Sequence, residues 1–204
     1  MMSDPTPLLI ILFHGVGSSG DDIARLGDVW QKVQPHIAYE APNGIMPGPQ
    51  NHGYAWFSIA GVTDDNRPDR IEASHIAFDA VVQSLVVKHG FTDRLDRVAF
   101  VGFSQGSMMA LDAVASGRWK IAGVLAYSGR LATRPPFHVG QTRIRLIHGD
   151  ADRVVSVNET IKANDSLRES GFAVETTILP NLDHSISLDG IKLGQAFLSE
   201  LSQV

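Results

Sequence analysis

The stretch VAFVGFSQGSMMAL, residues 98–111, decides how the chain folds. Its first half is an apolar run of strand length, and its second half has the small and apolar residues of a helix that packs on a sheet. Between them stands the pattern G-x-S-x-G, in which Ser104 lies between Gly102 and Gly106. On a sharp strand-to-helix turn, Cβ atoms at the two glycine positions would clash with neighbouring backbone. The pattern therefore predicts a tight turn that exposes Ser104 at the edge of a sheet; the alternative is an ordinary turn that contains a serine.

A serine hydroxyl becomes a good nucleophile only when a base accepts its proton, and that base is usually a histidine oriented by a carboxylate. In this kind of sheet the acid and then the histidine follow the serine along the chain. Three histidines follow Ser104: His138 in a loop, His148 at the end of a predicted strand, and His184 in a loop before the last predicted helix. We predict that His184 is the base, because its loop is free to fold back over the turn.

Three aspartates are candidates for the acid. Asp150 and Asp152 both follow the apolar run that ends at His148, at the edge where open parallel sheets place their ligands. Asp150 directly follows a glycine and could equally cap the turn, whereas Asp152 precedes a pair of valines that can anchor the loop. Asp183 is next to His184, and chain neighbours rarely share one side-chain hydrogen bond. We predict that Asp152 is the acid.

Length and composition limit the classes of protein that remain. The chain has 204 residues, of which 44% are apolar and 19% charged, and this predicts one domain over residues 1–204. A net charge of -5 without a basic run argues against binding to nucleic acid. The absence of cysteine excludes disulfides, thiolate nucleophiles and Cys-ligated zinc, so a cytoplasmic location is expected. The apolar run at residues 8–13 is too short for a membrane span, and we expect a buried strand and no stable membrane association.

Apolar runs of strand length alternate with segments of helical period. This pattern predicts an α/β fold with a mostly parallel central sheet and helices on both faces. The predicted strands are residues 8–13, 37–41, 97–101, 121–127, 144–147 and 173–179, and the predicted helices are residues 21–34, 69–89, 105–116, 157–169 and 188–202. Residues 42–58 and 61–68 are rich in Pro, Gly, Asn or Asp, so irregular loops are expected there.

Six motifs, spread over nearly the whole chain, form a specific combination: HGVG at 14–17, APNG at 41–44, Trp56-Phe57, GFSQGS at 102–107, HGDADRVV at 148–155 and DHS at 183–185. The combination resembles the phospholipase/carboxylesterase family of α/β-hydrolases, which includes acyl-protein thioesterases and small bacterial carboxylesterases. The resemblance implies a compact α/β-hydrolase fold, and it permits a homodimer. The chain of 204 residues is too short for a large lid, which favours small, soluble esters. It matches Ser104, Asp152 and His184 to the catalytic triad. Two residues depart from the family pattern: Ser58 stands where an aspartate is usual, and Ser107 where a second glycine often follows the turn.

The stretch HGVGSSGDD, residues 14–22, also fits the dinucleotide-binding pattern G-x-G-x-x-G. Asp21 and Asp22, however, open the next predicted helix and would repel a pyrophosphate at its N-terminus. A tetrahedral intermediate of acyl transfer instead needs backbone N–H donors from the residue after the nucleophile, here Gln105, and from a loop after an early strand. The family pattern makes Val16 the second donor. We therefore expect an oxyanion loop and no cofactor.

The sequence indicates the residues that contact the substrate less clearly than it indicates the catalytic residues. Trp56, Phe57 and Met46 have the apolar character of an acyl pocket, although each could equally be core. The aspartates of residues 61–68 lack the pattern of a calcium loop, and the histidines lack the spacing of metal ligands, so no metal is expected. His14 is expected to organise the loop that follows it.

The sequence thus predicts a serine hydrolase that cleaves small carboxylic esters of short or medium acyl chains through an acyl-enzyme. An acyl-protein thioesterase or a lysophospholipase would use the same residues. A hydrolase-fold binding protein that has lost catalysis, and a dehydrogenase that uses the glycine-rich loop, are the alternatives from other classes.

Overall fold

The computed structural model describes residues 7–203, and a six-stranded sheet forms its centre. The strands in chain order are β1 (Leu8–Phe13), β2 (Ile37–Glu40), β3 (Met46–Pro47), β4 (Tyr54–Ala55), β5 (Val98–Phe103), β6 (Gly123–Tyr127), β7 (Arg143–Gly149) and β8 (Ala173–Leu179). The order across the sheet is β2-β1-β5-β6-β7-β8, and every neighbouring pair is parallel. All six strands therefore end at the same edge of the sheet, which is where loops can bring distant residues together.

Helices cover both faces of this sheet, so the predicted α/β architecture is confirmed. They are α1 (Gly20–Val33), α2 (Arg67–Glu72), α3 (His75–Lys88), α4 (Gln105–Ala115), α5 (Val157–Glu169) and α6 (Leu188–Ser202). Alternate residues of β1 belong to two separate cores, as the two-residue period of a strand requires. Leu8 and Ile10 pack with α1 and α6, whereas Leu9 and Ile11 pack with α2 to α5. No helix among residues 7–203 combines the length and the apolar character needed to cross a membrane.

The helix predicted over residues 69–89 is wrong in one respect, because the chain breaks it into α2 and α3. The hydroxyl of Ser74 donates a 2.6 Å hydrogen bond to the carbonyl of Ile71, and the Ser74 N–H bonds the same carbonyl. These bonds span three residues and not the four of an α-helix, so they tighten and interrupt it. The apolar residues Ile71, Phe78, Val82 and Val86 are nevertheless buried on both sides of the break.

A small hairpin lies in the stretch where only irregular structure was predicted. Strands β3 and β4 pair antiparallel, with Met46 opposite Ala55. The hairpin also binds the loop after β1, because Gly17 N–H donates to the Tyr54 carbonyl and Tyr54 N–H donates to the Ser18 carbonyl, both at 2.8 Å. Strands of two residues are too short to produce a recognisable periodicity, so the sequence could not indicate them.

Candidate active site

Ser104 lies on the sharp turn between β5 and α4, as the sequence predicts, but the predicted exposure is wrong, because Ser104 is only 7% exposed beneath the surrounding loops. Its backbone has φ 54° and ψ -115°, a conformation that non-glycine residues rarely adopt. The turn is possible only because its neighbours lack side chains. A Cβ atom at Gly106 would lie 2.0 Å from the carbonyl oxygen of Phe13, and one at Gly102 would lie 2.4 Å from the nitrogen of Ser107. The hydroxyl of Ser107 fits beneath the turn, 2.7 Å from the Gly102 carbonyl and 2.6 Å from the Tyr127 carbonyl.

His184 and Asp152 reach Ser104 from two further loops at the same edge of the sheet. His184 follows β8, and its Nε2 lies 3.0 Å from Ser104 Oγ. Asp152 follows β7, and its Oδ2 lies 2.7 Å from His184 Nδ1. A carboxylate accepts hydrogen bonds only, so His184 carries its proton on Nδ1 and presents the Nε2 lone pair to the serine hydroxyl. The three residues chosen from chain order thus form one hydrogen-bonded chain.

The carboxylate of Asp152 is buried but fully bonded. Its Oδ1 accepts hydrogen bonds from the N–H groups of Val154 at 2.8 Å and Val155 at 2.9 Å. Burial acts to raise the pKa of Asp152, but the hydrogen bonds from His184, Val155 and Val154 outweigh it and hold the pKa below its usual value. Asp152 therefore stays ionised next to the imidazole.

The rival candidates serve other contacts. His138 lies on the exposed surface, and His148 is completely buried behind Asp152, with its Nε2 3.1 Å from Asp152 Oδ2. Asp150 accepts a hydrogen bond from the N–H of Asn181, and Asp183 accepts one from the hydroxyl of Ser185. Sequence reasoning did not predict the contact between His148 and Asp152. The only sign of this contact in the sequence is the four-residue spacing between His148 and Asp152 in HGDAD.

The loop after β1 lies directly against the serine. A Cβ atom at Gly15 would be 3.2 Å from the Phe103 ring and 3.4 Å from Ser104 Cβ, so the loop packs closely against the turn. Within residues 7–203, the backbone N–H groups of Val16 and Gln105 donate no hydrogen bond to another protein group. Two donors beside Ser104 are thus available to a ligand.

His14 fixes the geometry of this loop. Its Nδ1 donates a 2.7 Å hydrogen bond to the Gly15 carbonyl, and its Nε2 accepts one of 2.9 Å from the Gly44 N–H. The indole of Trp56 donates to the His14 carbonyl at 3.0 Å. Burial lowers the pKa of His14, although its bond to Gly15 and the charge of Asp22 act in the opposite direction. The ring is therefore neutral, as both of its hydrogen bonds require.

The N-terminus of α1 already holds a negative group of the protein itself. The Asp22 carboxylate accepts hydrogen bonds from the hydroxyls of Ser18 and Ser19 and from the Ser19 N–H, while the Gly20 N–H donates to Asn43. These contacts occupy the place where a dinucleotide would need its pyrophosphate. The local structure is accordingly that of a capped helix.

The predicted substrate contacts divide into two groups. Trp56 and Phe57 are 0% and 2% exposed, so we correct that expectation: their side chains belong to the core beneath the site. They still connect to it, because the Gln105 side chain accepts from the Trp56 N–H and donates to the Phe57 carbonyl, both at 2.8 Å. Met46, in contrast, lines a cavity of about 410 Å³ together with Ser58.

A second cavity, of about 360 Å³, directly adjoins the hydrogen-bonded chain. Its apolar wall consists of Ile23, Leu26, Phe103 and Ile186, and His184 and Gly15 also border it. Asp22 and Arg25 line it as well. A larger cavity of about 460 Å³ lies at the first residues of β7 and β8, at the opposite edge of the sheet from Ser104.

The sequence and the fold both resemble those of known proteins. The sequence matches the phospholipase/carboxylesterase family over residues 2–202. It is 31% identical over 182 residues to the esterase YpfH of Escherichia coli, a match that covers 89% of this chain and 78% of that protein. It is 30% identical over 214 residues to acyl-protein thioesterase 1 of Neurospora crassa, covering 94% and 85% of the two chains. The structure of esterase PE8 superimposes with a TM-score of 0.83 at 30% identity and covers 98% of this chain and 95% of that one.

The fold and these relatives define the class as that of the serine hydrolases with an α/β-hydrolase fold, which act on esters or thioesters. The chain belongs to the phospholipase/carboxylesterase family, and it is a carboxylic ester hydrolase.

Proposed function

We propose that this enzyme hydrolyses carboxylic esters of short or medium acyl chain through a covalent acyl-enzyme on Ser104. The observation that carries the proposal is the hydrogen-bonded chain from Ser104 Oγ through His184 to Asp152, with distances of 3.0 Å and 2.7 Å. His184 accepts the hydroxyl proton as Ser104 attacks the acyl carbonyl, and it returns the proton to the leaving alcohol. The same histidine then activates a water molecule, which hydrolyses the acyl-enzyme. Asp152 holds the imidazole and stabilises its charged form.

The N–H groups of Val16 and Gln105 would bind the oxyanion of the tetrahedral intermediate. Gln105 is the first residue of α4, so the positive end of the helix dipole supports its donor. Val16 lies next to Gly15, which packs against Ser104. In this role both residues act through the main chain, and their side chains contribute no chemistry.

The decisive experiment is labelling with a fluorophosphonate probe together with hydrolysis of p-nitrophenyl butyrate. Ser104→Ala should abolish both, whereas Ser107→Ala, which removes a neighbouring buried hydroxyl, should still be labelled. Labelling that persists in Ser104→Ala would refute the role of Ser104. Binding of an ester without turnover by the intact protein would instead favour a hydrolase-fold binding protein.

The size of the cavity beside His184 supports a preference for small esters. Ligand cavities span about 300–1,000 Å³, and the volume of about 360 Å³ lies near the lower end of this range. Across p-nitrophenyl esters of two to sixteen carbons, kcat/KM should therefore be highest for short or medium chains. A steady rise towards the longest chains would contradict the preference and would favour a lysophospholipase.

A thioester is the second candidate substrate, because several relatives are named acyl-protein thioesterase 1, one of them at 30% identity. The same residues would transfer the acyl group from sulfur. Rates with an oxygen ester and a thioester of one acyl chain, corrected for their rates in water, would decide between the two.

A further inference from the structure

A second histidine, His148, lies against the acid and has no part in the acyl transfer described above. It belongs to the end of β7 and is completely buried, like the carboxylate of Asp152. Its Nε2 lies 2.9 Å from the Val155 carbonyl oxygen and 3.1 Å from Asp152 Oδ2. Its Nδ1 lies 2.6 Å from the hydroxyl of Thr160 on α5. Every polar atom of the ring therefore has a partner.

These partners determine which nitrogen carries the proton. The carbonyl of Val155 and the carboxylate of Asp152 are acceptors only, so a lone pair on Nε2 would face two oxygens and be repelled. Nε2 consequently bears hydrogen and donates to the Val155 carbonyl, with Asp152 Oδ2 beside the bond. The Thr160 hydroxyl lies 2.6 Å from Nδ1 and 3.5 Å from the Gly129 carbonyl oxygen, and it donates to Nδ1, the much closer of the two acceptors.

The contact also stabilises the loop that holds the acid. The Val155 N–H binds Asp152 Oδ1 at 2.9 Å, while the Val155 carbonyl is bound by His148. His148 thus fixes one of the two backbone donors of the carboxylate. It also places the positive end of an N–H bond beside Oδ2, the oxygen that receives His184 Nδ1.

We propose that His148 is a positioning residue of the active site, which holds the Asp152 loop and moderates the negative charge that Asp152 presents to His184. The proposal rests on the proposed function, since it matters to the rate only if His184 is the base. A carboxylate with less free charge binds the imidazolium less strongly. Loss of the Nε2 donor should make His184 hold its proton more tightly.

The effect of His148 on His184 can be separated from the effects of the other charged groups around the two rings. Besides Asp152, His184 has Asp183 on its own loop and Asp22 and Arg25 in the wall of the adjoining cavity. On the α5 side of His148, Glu159 lies 3.3 Å from Arg130, next to the Thr160 contact. Substitution of His148 changes none of these charges.

Two amide variants form a matched pair. In His148→Gln the side-chain nitrogen is the same number of bonds from Cβ as imidazole Nε2, so it can replace the donor at Val155 and Asp152. In His148→Asn the nitrogen corresponds to Nδ1, so it retains only the contact with Thr160. The acid limb of the kcat/KM profile for p-nitrophenyl butyrate should stay near that of the unmodified enzyme in His148→Gln. In His148→Asn it should move to higher pH by about half a unit or more, with KM nearly unchanged.

Several outcomes would overturn the proposal. Unmoved profiles in both variants would assign His148 to packing alone, and equal shifts in both would indicate a general disturbance. Nitrogen-15 NMR of the histidine rings in the unmodified enzyme adds a test that needs no variant. A proton on Nδ1 and none on Nε2 of His148 would contradict the argument even if His148→Asn fails to fold. If Ser104→Ala remained active, the proposed function would fall, while the NMR result on His148 would stand by itself.

Discussion

Ser104 has a backbone conformation that a serine side chain disfavours, and the surrounding turn imposes it. Residues with such dihedral angles store about 1–3 kcal/mol and occur mostly where function requires them. The hydrogen bond from the Ser104 N–H to the Tyr127 carbonyl, at 2.9 Å, and the close packing at Gly102 and Gly106 hold the turn in place. The turn therefore favours the reactivity of Ser104 and lowers the stability of the folded protein.

Replacement of Ser104 by glycine should consequently stabilise the protein. Glycine adopts positive φ freely, so Ser104→Gly should unfold in urea with a free energy about 1 kcal/mol higher than that of Ser104→Ala. Both variants lack the hydroxyl, so the comparison isolates the backbone. Equal stability of the two would show that the turn stores no strain at this residue.

His14 should make stability depend on pH in a defined direction. Its pKa is lowered in the folded protein, chiefly by burial, from an unfolded value of 6.5. The unfolded chain therefore binds a proton more readily than the folded one, and the contribution of neutral His14 is complete above pH 6.5 and lost as the pH falls below it. Between pH 7.5 and 5, the unfolding free energy of His14→Gln should decline less than that of His138→Gln, which alters an exposed loop histidine. An equally steep decline in both variants would contradict this assignment.

The order of residues along the chain could predict Ser104, Asp152 and His184, because each follows a strand whose end is marked by an apolar run. The direction of a side chain could not be predicted in the same way. Trp56 has the composition of a pocket wall but points into the core, and His148 was expected only to end its strand. Ring orientation depends on neighbours from other elements, such as Thr160 on α5, and the local pattern does not contain them.

Among the elements, the β3–β4 hairpin has the most direct connection with the site, since it holds the loop that carries Val16. Gly53 lies in its turn with φ 57°, and a Cβ atom there would be 2.3 Å from the Gly17 carbonyl oxygen. Gly61 has a similar φ of 63° but has no atom within 4 Å of such a Cβ. The two glycines share a backbone conformation and differ in what a side chain would displace.

Gly53→Ala should therefore lower the activity more than Gly61→Ala does, although the two substitutions introduce similar backbone strain. Gly61→Ala should lose about 1 kcal/mol of stability, because alanine is strained at positive φ, and Gly53→Ala should lose more, because its Cβ would also meet the Gly17 backbone. Gly53→Ala should also lose at least about tenfold in kcat for p-nitrophenyl butyrate, since one oxyanion donor contributes about 100–1,000-fold. A fully active, folded Gly53→Ala variant would show that the hairpin does not position the loop.

Whole elements were predictable to the extent that they bury a regular stripe. The helices at Val157–Glu169 and Leu188–Ser202 have the predicted bounds, because each has a periodic apolar pattern between clear breaks. The strand at Ala173–Leu179 also has the predicted bounds, although only Val174 in it is buried. The break between α2 and α3 depends on a single hydroxyl, that of Ser74, within a continuous stripe. A periodicity averaged over a turn or more cannot resolve it.

At the scale of the whole molecule, the two cores share the strands between them. Each residue of β1 is completely buried, and its side chains alternate between the two sides. Neither core can lose its packing while the other keeps the sheet intact. We therefore expect residues 7–203 to unfold in urea as one cooperative unit, with coincident transitions in tryptophan fluorescence and circular dichroism. Two separated transitions would indicate independent units and would contradict the single domain expected from the sequence.

The position of β8 at the rim of the sheet has a further consequence for the lifetime of the working enzyme. β8 pairs with β7 alone, and the loop that carries His184 follows it directly. Boundary strands open locally more easily than central ones, so transient fraying can withdraw His184 while Ser104 stays on its turn. If His184 is the base, we expect turnover to be lost on warming before the signals of helix and sheet, and to return after them on refolding. Recovered turnover is accordingly a more stringent sign of complete assembly than any spectroscopic measure of helix or sheet.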